Sequence, residues 1–284
     1  MAKNLEQCKD LAGMAAAAGA SILFLPEASD YIATSASESH SLAKPIESSP
    51  FVRGLKDAAK QHNLAIHVGI HDSKLFNTTV YINPDGTLNH AGTYNKLHLF
   101  DYGTLVESAS TQAGSRFTPP FPSPIGLLGS LICFDLRFPE AALHLAKPGP
   151  GSPGQAAAAE VILYPSAFTV PTGQAHWEPL LRARAIETQS WVVAAAQVGR
   201  HHPYSEGGKR VSYGHSMVVD PWGKVVVELK GVEDVGNAEG EGERLEAVSG
   251  AVGELGVFEV DLEHVARVRE RMPLVRRTDL YSRS

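Results

Sequence analysis

Apolar residues recur at helical spacing near the start of the chain: Leu5, Cys8, Ala12, Ala15 and Ala16. Gly19 stands where a C-capping glycine would, so a first helix is expected there. A short continuous apolar run, Ile22 to Leu25, follows and stops at Pro26-Glu27. It reads as a buried strand carrying an acid at its C-terminal end. Ser49-Pro50 combines a cap with a proline at the first turn and opens a second helix. That helix leads into a strand from Leu64 to Ile70. Thr78 to Ile82 and Thr87 to Thr93 flank Pro84-Asp85-Gly86, a hairpin signal.

Further along, Leu127 to Ile132 is a strand running straight into Cys133. Phe138 to Ala146 reads as helix, Val161 to Leu163 as strand and Trp177 to Gln189 as helix. Trp191 to Val198 is a near-continuous apolar run, the mark of a strand covered on both faces. Met217 to Val219 and Lys224 to Leu229 form a hairpin around Asp220-Pro221-Trp222-Gly223. Gly256 to Val260 reads as a late strand, and Asp261 caps a final helix that Pro273 stops beyond Arg271. Strands thus alternate with helices and hairpins, which points to a layered α/β fold with mixed sheets. Residues 147–159 are Pro/Gly-rich and then Ala-rich. Residues 231–253 are acidic and rich in small residues. Both read as surface-loop insertions in one domain spanning 1–284.

Composition narrows the function classes. The net charge of −6 gives no basic footprint for nucleic acid. No stretch approaches 18 apolar residues, so no membrane span is expected. Two cysteines make no disulfide framework, which points to a reducing compartment. No secretory signal opens the chain. Asn77-Thr78-Thr79 matches the glycosylation sequon, read here as a chance match.

Cys133 ends a buried strand and begins a turn into a helix. There it is exposed at the sheet edge, where following amides can face a reacting carbonyl oxygen. Thiolate is the reactive form, so it needs a base or positive neighbours. Glu27, partly desolvated at a strand end, is expected to have a raised pKa that suits a general base. Lys96, in Tyr94-Asn95-Lys96-Leu97-His98, offers a fixed positive charge for an oxyanion. The bland readings are an inert cysteine, a carboxylate tied to a loop, and a solvated lysine. Cys8, on the apolar face of the first helix, reads as structural. His201-His202 reads as solvated, His215 as a strand histidine, and His176 as the start of a helix beside Trp177. No histidine spacing suits a metal site.

Taken together, Phe24-Leu25-Pro26-Glu27, Tyr94-Asn95-Lys96, the segment from Cys133 to Glu140 and Ala175-His176-Trp177-Glu178 resemble the nitrilase superfamily of carbon-nitrogen hydrolases. Arg182 to Gln189, Gly199-Arg200-His201-His202 and Ser212 to Gly223 are similar to its Nit branch, the deaminated glutathione amidases. The resemblance implies a four-layer α-β-β-α sandwich, a homodimer, a cytoplasmic location (or a mitochondrial form with a different N-terminus) and no cofactor. It also implies roles. Glu27 takes the proton of Cys133, and the thiolate attacks an amide carbonyl. Lys96 and the Phe134 N–H hold the oxyanion. Glu27 then protonates the leaving group and activates water. Glu107 matches the family's second glutamate, although its loop from Lys96 is about five residues short. Arg137 is implied as a bidentate partner for a substrate carboxylate, against a structural salt bridge as the alternative. Phe168 and Thr172 match pocket positions, and Trp177 reads as packing.

Three functions follow. The first is hydrolysis of the α-keto analogue of glutathione. The second is ω-amidase action on α-keto dicarboxylate monoamides. The third is an inactive scaffold. The last draws on two departures: the family's opening strand has no counterpart before Asn4, and the loop between Lys96 and Glu107 is short. A missing central strand leaves its neighbours' edge groups unpaired.

Overall fold

The structure is a computed structural model and describes residues 1–103, 105–146, 157–201, 210–236, 244–277 and 280. Its first helix, α1, spans Ala2–Ala17 and buries Cys8, Ala12 and Ala15. Strand β1, Ile22–Phe24, follows. Next come α2, Ala36–Leu42, and α3, Pro50–His62. Strands β2, Ala65–His71, β3, Asn77–Ile82, and β4, Leu88–Asn95, complete the first half. Ser49 caps α3 through its side chain, with Pro50 opening the helix as the sequence predicts.

The second half begins with a short ladder of β5, Asp101–Tyr102, and β6, Leu105–Val106. Then come β7, Phe121–Ser123, β8, Gly126–Ser130, α4, Pro139–Ala146, and β9, Val161–Leu163. Helix α5, Val170–Thr188, is followed by β10, Trp191–Ala194. Strands β11, Val198–Arg200, and β12, Val211–Tyr213, pair with each other. Strands β13, Met217–Val219, and β14, Val225–Glu228, make the expected hairpin. Last come β15, Val232–Asp234, β16, Leu245–Ala247, and α6, Leu262–Arg271.

Two sheets organise these elements. One has the order β1-β2-β3-β4, the other β14-β13-β10-β9-β8-β7. Both are mixed: β1 runs parallel to β2 while β2 and β3 are antiparallel. An apolar cluster that includes Ile22, Ala65, Tyr81, Leu128, Val161, Val193 and Val218 joins them face to face. A second cluster packs α1 and α3 onto the outer face of the first sheet. A third packs α4 and α5 onto the outer face of the second sheet. The result is the expected order of four layers, helix, sheet, sheet, helix.

Several expectations are corrected. Residues 256–260 form no strand, although their apolar pattern suits one. A strand is defined by its ladder, and no described backbone lies alongside to supply it. His215 lies between β12 and β13 with a left-handed φ of 57°, outside any strand. Helix α5 starts seven residues before Trp177, because Pro171 occupies its first turn. His176 is therefore inside it. Helix α2 escapes sequence reading because it buries no residue, so its capping residue Ser35 has no apolar stripe to announce it. The acidic segment is not loop throughout, since β15 and β16 pair near its ends. Residues 147–156 and 237–243 of the two expected insertions lie outside the described residues, as does His202.

Candidate active site

Glu27 is set by the turn that leaves β1. Leu25 still donates to the His67 carbonyl at 2.8 Å, after which the chain breaks away from β2. Gly69 makes this turn feasible. Its N–H donates to the Pro26 carbonyl at 3.0 Å, and a Cβ there would stand 2.6 Å from the Glu27 Cα. Gln197 reaches across from the second sheet and donates to the Glu27 carbonyl at 3.0 Å. Ala28 then takes a left-handed φ of 54°, a conformation that costs an L-residue about 1–2 kcal/mol.

Lys96 lies just past the end of β4, anchored by its N–H to the Asn77 carbonyl at 2.9 Å. Only 2% of it is exposed. The ammonium donates to Glu27 Oε1 at 2.9 Å and to Glu107 Oε2 at 2.9 Å. The short loop therefore still brings Glu107 to the lysine. Phe100 N–H holds Glu107 Oε2 at 2.8 Å.

Cys133 opens a 3₁₀ turn, Cys133–Arg137, and its backbone is also left-handed, with φ 45°. Strained backbone of this kind persists only where its surroundings fix it. Asp135 does much of the fixing. Fully buried, it accepts from the Ile132 N–H at 2.9 Å, the Tyr94 hydroxyl at 2.7 Å and the His98 N–H at 3.0 Å. The cysteine is buried at the cavity floor rather than exposed at a sheet edge. Glu27 and Lys96 line the same cavity beside it. Phe134 supplies the next backbone N–H.

The charges follow from this packing. Burial by itself would raise the Glu27 carboxyl, but the Lys96 ammonium, with hydrogen bonds from Lys96, Asn77 and Cys133, holds it below its ordinary value. The raised pKa expected for a desolvated acid is thus reversed by the cation beside it. Burial pushes the Cys133 thiol up, and the Glu27 charge pushes the same way; Lys96 opposes both. Burial would lower Lys96, but Glu27 and Glu107 hold it above its ordinary value. The resting state is therefore a thiol beside a carboxylate and an ammonium.

Asn77 is a residue that sequence reasoning noticed only as a sequon. Its amide donates to Glu27 Oε1 at 2.7 Å and to Glu107 Oε1 at 3.0 Å, so it ties the same two carboxylates as Lys96. It is 5% exposed, which closes it to glycosylation in the folded chain. His71 and Asp30 were also missed. His71 Nδ1 lies 2.9 Å from Asp30 Oδ1, and Tyr31 stacks on the ring at 4.3 Å. Burial would lower His71, but Asp30, then Glu27 and Glu107, raise it.

These groups line a cavity of about 390 Å³. Glu27, His71, Asn77, Lys96, Glu107 and Cys133 meet on it, joined by Phe134, Arg137, Phe168 and Thr172. The Arg137 guanidinium stands 5.7 Å over the Phe134 ring and 5.8 Å over the Phe168 ring. Its hydrogen-bond partner is His176 Nδ1 at 3.2 Å, not an acid. Arg210, which sequence reasoning passed over, adds a second cation to the lining. Trp177 stays in the core, donating to the His215 carbonyl at 2.7 Å. Cys8 is buried in α1, its thiol pushed up to about 12 by burial. His201 is half-buried and bonded to Ser212 at 2.8 Å, not simply solvated. Among the described residues, no group of three or more His, Cys, Asp or Glu is arranged to hold a metal ion.

Known proteins resemble this chain over nearly its whole length. Residues 1–246 match the model of the carbon-nitrogen hydrolase family. The chain is 41% identical over 290 residues to the "Probable hydrolase nit2" of Schizosaccharomyces pombe, covering 98% of this chain and 93% of that protein. It is 39% identical over 295 residues to the deaminated glutathione amidase of Homo sapiens, covering 98% and 79%. The crystal structure of the C. elegans NitFhit protein superposes with a TM-score of 0.78 at 38% identity. That match covers 99% of this chain and 63% of the larger NitFhit chain. A structure of Saccharomyces cerevisiae Nit3, described as a member of branch 10 of the nitrilase superfamily, superposes at 0.71 with 28% identity. It covers 97% of this chain and 90% of that one. The chain belongs to the carbon-nitrogen hydrolase family.

Proposed function

We propose that the protein hydrolyses the amide of the α-keto analogue of glutathione through a thioester on Cys133. Family membership makes it a hydrolase of carbon–nitrogen bonds other than peptide bonds. The observation that carries the finer reading is that Cys133, Glu27 and Lys96 meet on one cavity, with the Lys96 ammonium 2.9 Å from the Glu27 carboxylate.

Glu27 is held ionised, so it is free to accept the thiol proton as Cys133 attacks the amide carbon. The new oxyanion is met by the Lys96 ammonium and the Phe134 N–H. Collapse of the tetrahedral species breaks the C–N bond, and the amine leaves with the proton from Glu27. Water then gives a proton to Glu27 and attacks the thioester, releasing the acid and restoring the thiol. Glu107 and Asn77 keep Lys96 and Glu27 in place throughout. The thiol pKa, raised by burial, fits transfer during attack rather than a standing thiolate.

Substrate choice rests on Arg137 and Arg210, which give the cavity two permanent cations for carboxylates. Relatives at 37–39% identity named deaminated glutathione amidase support this choice of substrate. A homodimer and a cytoplasmic location belong to the same proposal. No helix among the described residues is long and apolar enough to cross a membrane. The test is a substrate panel on the purified chain. Deaminated glutathione should release cysteinylglycine, read as a new amine, with the higher kcat/KM. Faster ammonia release from an α-keto dicarboxylate monoamide would make it an ω-amidase. No hydrolysis of either by folded protein would favour the scaffold reading.

A further inference from the structure

Amide hydrolysis divides a substrate into an acyl half and an amine half, and Glu27 decides where each lies. The amine leaves with a proton from Glu27, so its nitrogen stands on the Glu27 side of Cys133. That side of the cavity belongs to the first sheet. Gly69 of β2 bonds the Pro26 carbonyl under the Glu27 turn, and Ser29 N–H returns to the Gly69 carbonyl at 2.8 Å. Two residues on, at the end of β2, His71 lines the same cavity. Phe134, Arg137, Phe168 and Thr172 line it from the other sheet, on segments that follow β8 and β9. A carboxylate of the acyl half is thus left to Arg137, and the amine half meets His71.

His71 is held firmly yet has no part in the steps above. Asp30 Oδ2 accepts the His71 N–H at 2.9 Å, and Asp30 Oδ1 faces ring Nδ1 at 2.9 Å. An ionised carboxylate only accepts, so Nδ1 carries a hydrogen. Tyr31 covers one face of the ring, with centroids 4.3 Å apart. The other nitrogen, Nε2, makes no hydrogen bond among the described residues. Nor is it sealed from solvent in the way that Asn77 Oδ1, Thr79 Oγ1 and the Tyr164 hydroxyl are. With Nδ1 and one face covered, the 20% of the side chain that stays accessible is the edge bearing Nε2, which opens to the cavity. Burial would lower the ring's pKa, but Asp30, then Glu27 and Glu107, raise it, which favours a second proton on Nε2. Both glutamates are already tied by Lys96 and Asn77, and Nε2 is left for a ligand. Resting on the substrate proposed above, we infer that His71, oriented by Asp30, donates Nε2–H to a carbonyl or carboxylate oxygen of the amine half. It thereby selects an amide whose amine carries such an oxygen over one that releases bare ammonia.

The test is calorimetric binding to the full chain carrying Cys133→Ala, which lacks the nucleophile. Two ligands share the 2-oxoglutaryl half. In deaminated glutathione the amine is cysteinylglycine; in 2-oxoglutaramate it is ammonia. His71→Asn is then added, because its amide can keep the bond to Asp30 but places no atom at Nε2. Deaminated glutathione should bind about ten-fold more weakly, and 2-oxoglutaramate within roughly two-fold of its earlier value. A second readout needs no change at His71. In histidine labelled with nitrogen-15, the His71 Nε2 resonance should shift with deaminated glutathione and stay in place with 2-oxoglutaramate. Equal weakening of both ligands, no weakening of either, a resonance that ignores deaminated glutathione, or no binding of deaminated glutathione would each overturn the inference. Selective weakening, in a chain whose unmodified form hydrolyses neither compound, would uphold the role of His71 and sink the proposed hydrolysis.

Discussion

Strand β1 has two edges that meet opposite fates. Along one edge it pairs with β2 and delivers Glu27 into a cluster where every charge has a partner. Along the other its polar backbone faces an apolar trench. Around Cys133 each buried charge is paired, although Asn77 Oδ1 is buried without a hydrogen-bond partner. Burial of charge is tolerable around Cys133 because Lys96 and Asn77 each touch two carboxylates. Beside β1, the N–H and C=O of Ile22 and Phe24 make no backbone hydrogen bond among the described residues.

The sharpest way to break the paired side is to remove its cation. Lys96→Met leaves Glu27 and Glu107 facing each other without a counter-charge. Activity should fall roughly 10³-fold with loss of oxyanion support, and stability by about 3–5 kcal/mol in urea unfolding. Near-normal turnover in this variant would remove Lys96 from the mechanism. Asn77→Ala is milder, since Lys96 still bridges the acids. Two hydrogen bonds to charged groups are lost, so kcat should drop on the order of 10–100-fold with KM little changed. A change in KM alone would place Asn77 with substrate instead.

The ionisation pattern is tested by pH. His71 has a folded pKa above its ordinary 6.5, so its contribution is complete below that pH. It is lost as pH rises through the folded value. Glu27 is held below its ordinary 4.5, so its contribution is present above that pH and lost as pH falls through the folded value. Urea midpoints measured from pH 4 to 9 should decline at both ends. His71→Asn should flatten the alkaline decline only. An unchanged alkaline limb would mean that the Asp30–His71 pair carries no charge-linked stability. The smallest effect belongs to the trench side. Phe258→Ala should cost about 1 kcal/mol through the Phe24 contact and leave kcat untouched. A large loss of activity there would mean that the two edges of β1 are strongly coupled.

What the sequence made legible tracks how local each signal is. The strand–acid ending at Glu27 and the strand–turn–helix at Cys133 are contiguous patterns, and the structure has them in place. Glu107 was recognisable by its neighbours, while the shortened loop said little about distance; the 2.9 Å contact with Lys96 is a property of the folded path. Asn77 lies 50 residues from Glu27, and nothing in its local sequence announces that partner. The Asp30–His71 pair spans 41 residues and was silent for the same reason. Asp135 sat inside a recognised motif, yet its role as the acceptor that pins the nucleophile turn needs Tyr94 and His98 from another segment. Residues 256–260 fail in the opposite direction. Their composition is right for a strand, but strand formation belongs to a pair, and the partner is not among the described residues.

The most direct test of the account is to trap its covalent intermediate. The protein is mixed with deaminated glutathione, quenched in acid within the first turnover, digested and mapped by mass spectrometry, beside a Cys133→Ala control. The account predicts a 2-oxoglutaryl mass addition on the peptide bearing Cys133, and neither adduct nor cysteinylglycine release in the control. Undiminished hydrolysis by Cys133→Ala, or an adduct on Cys8 alone, would contradict it.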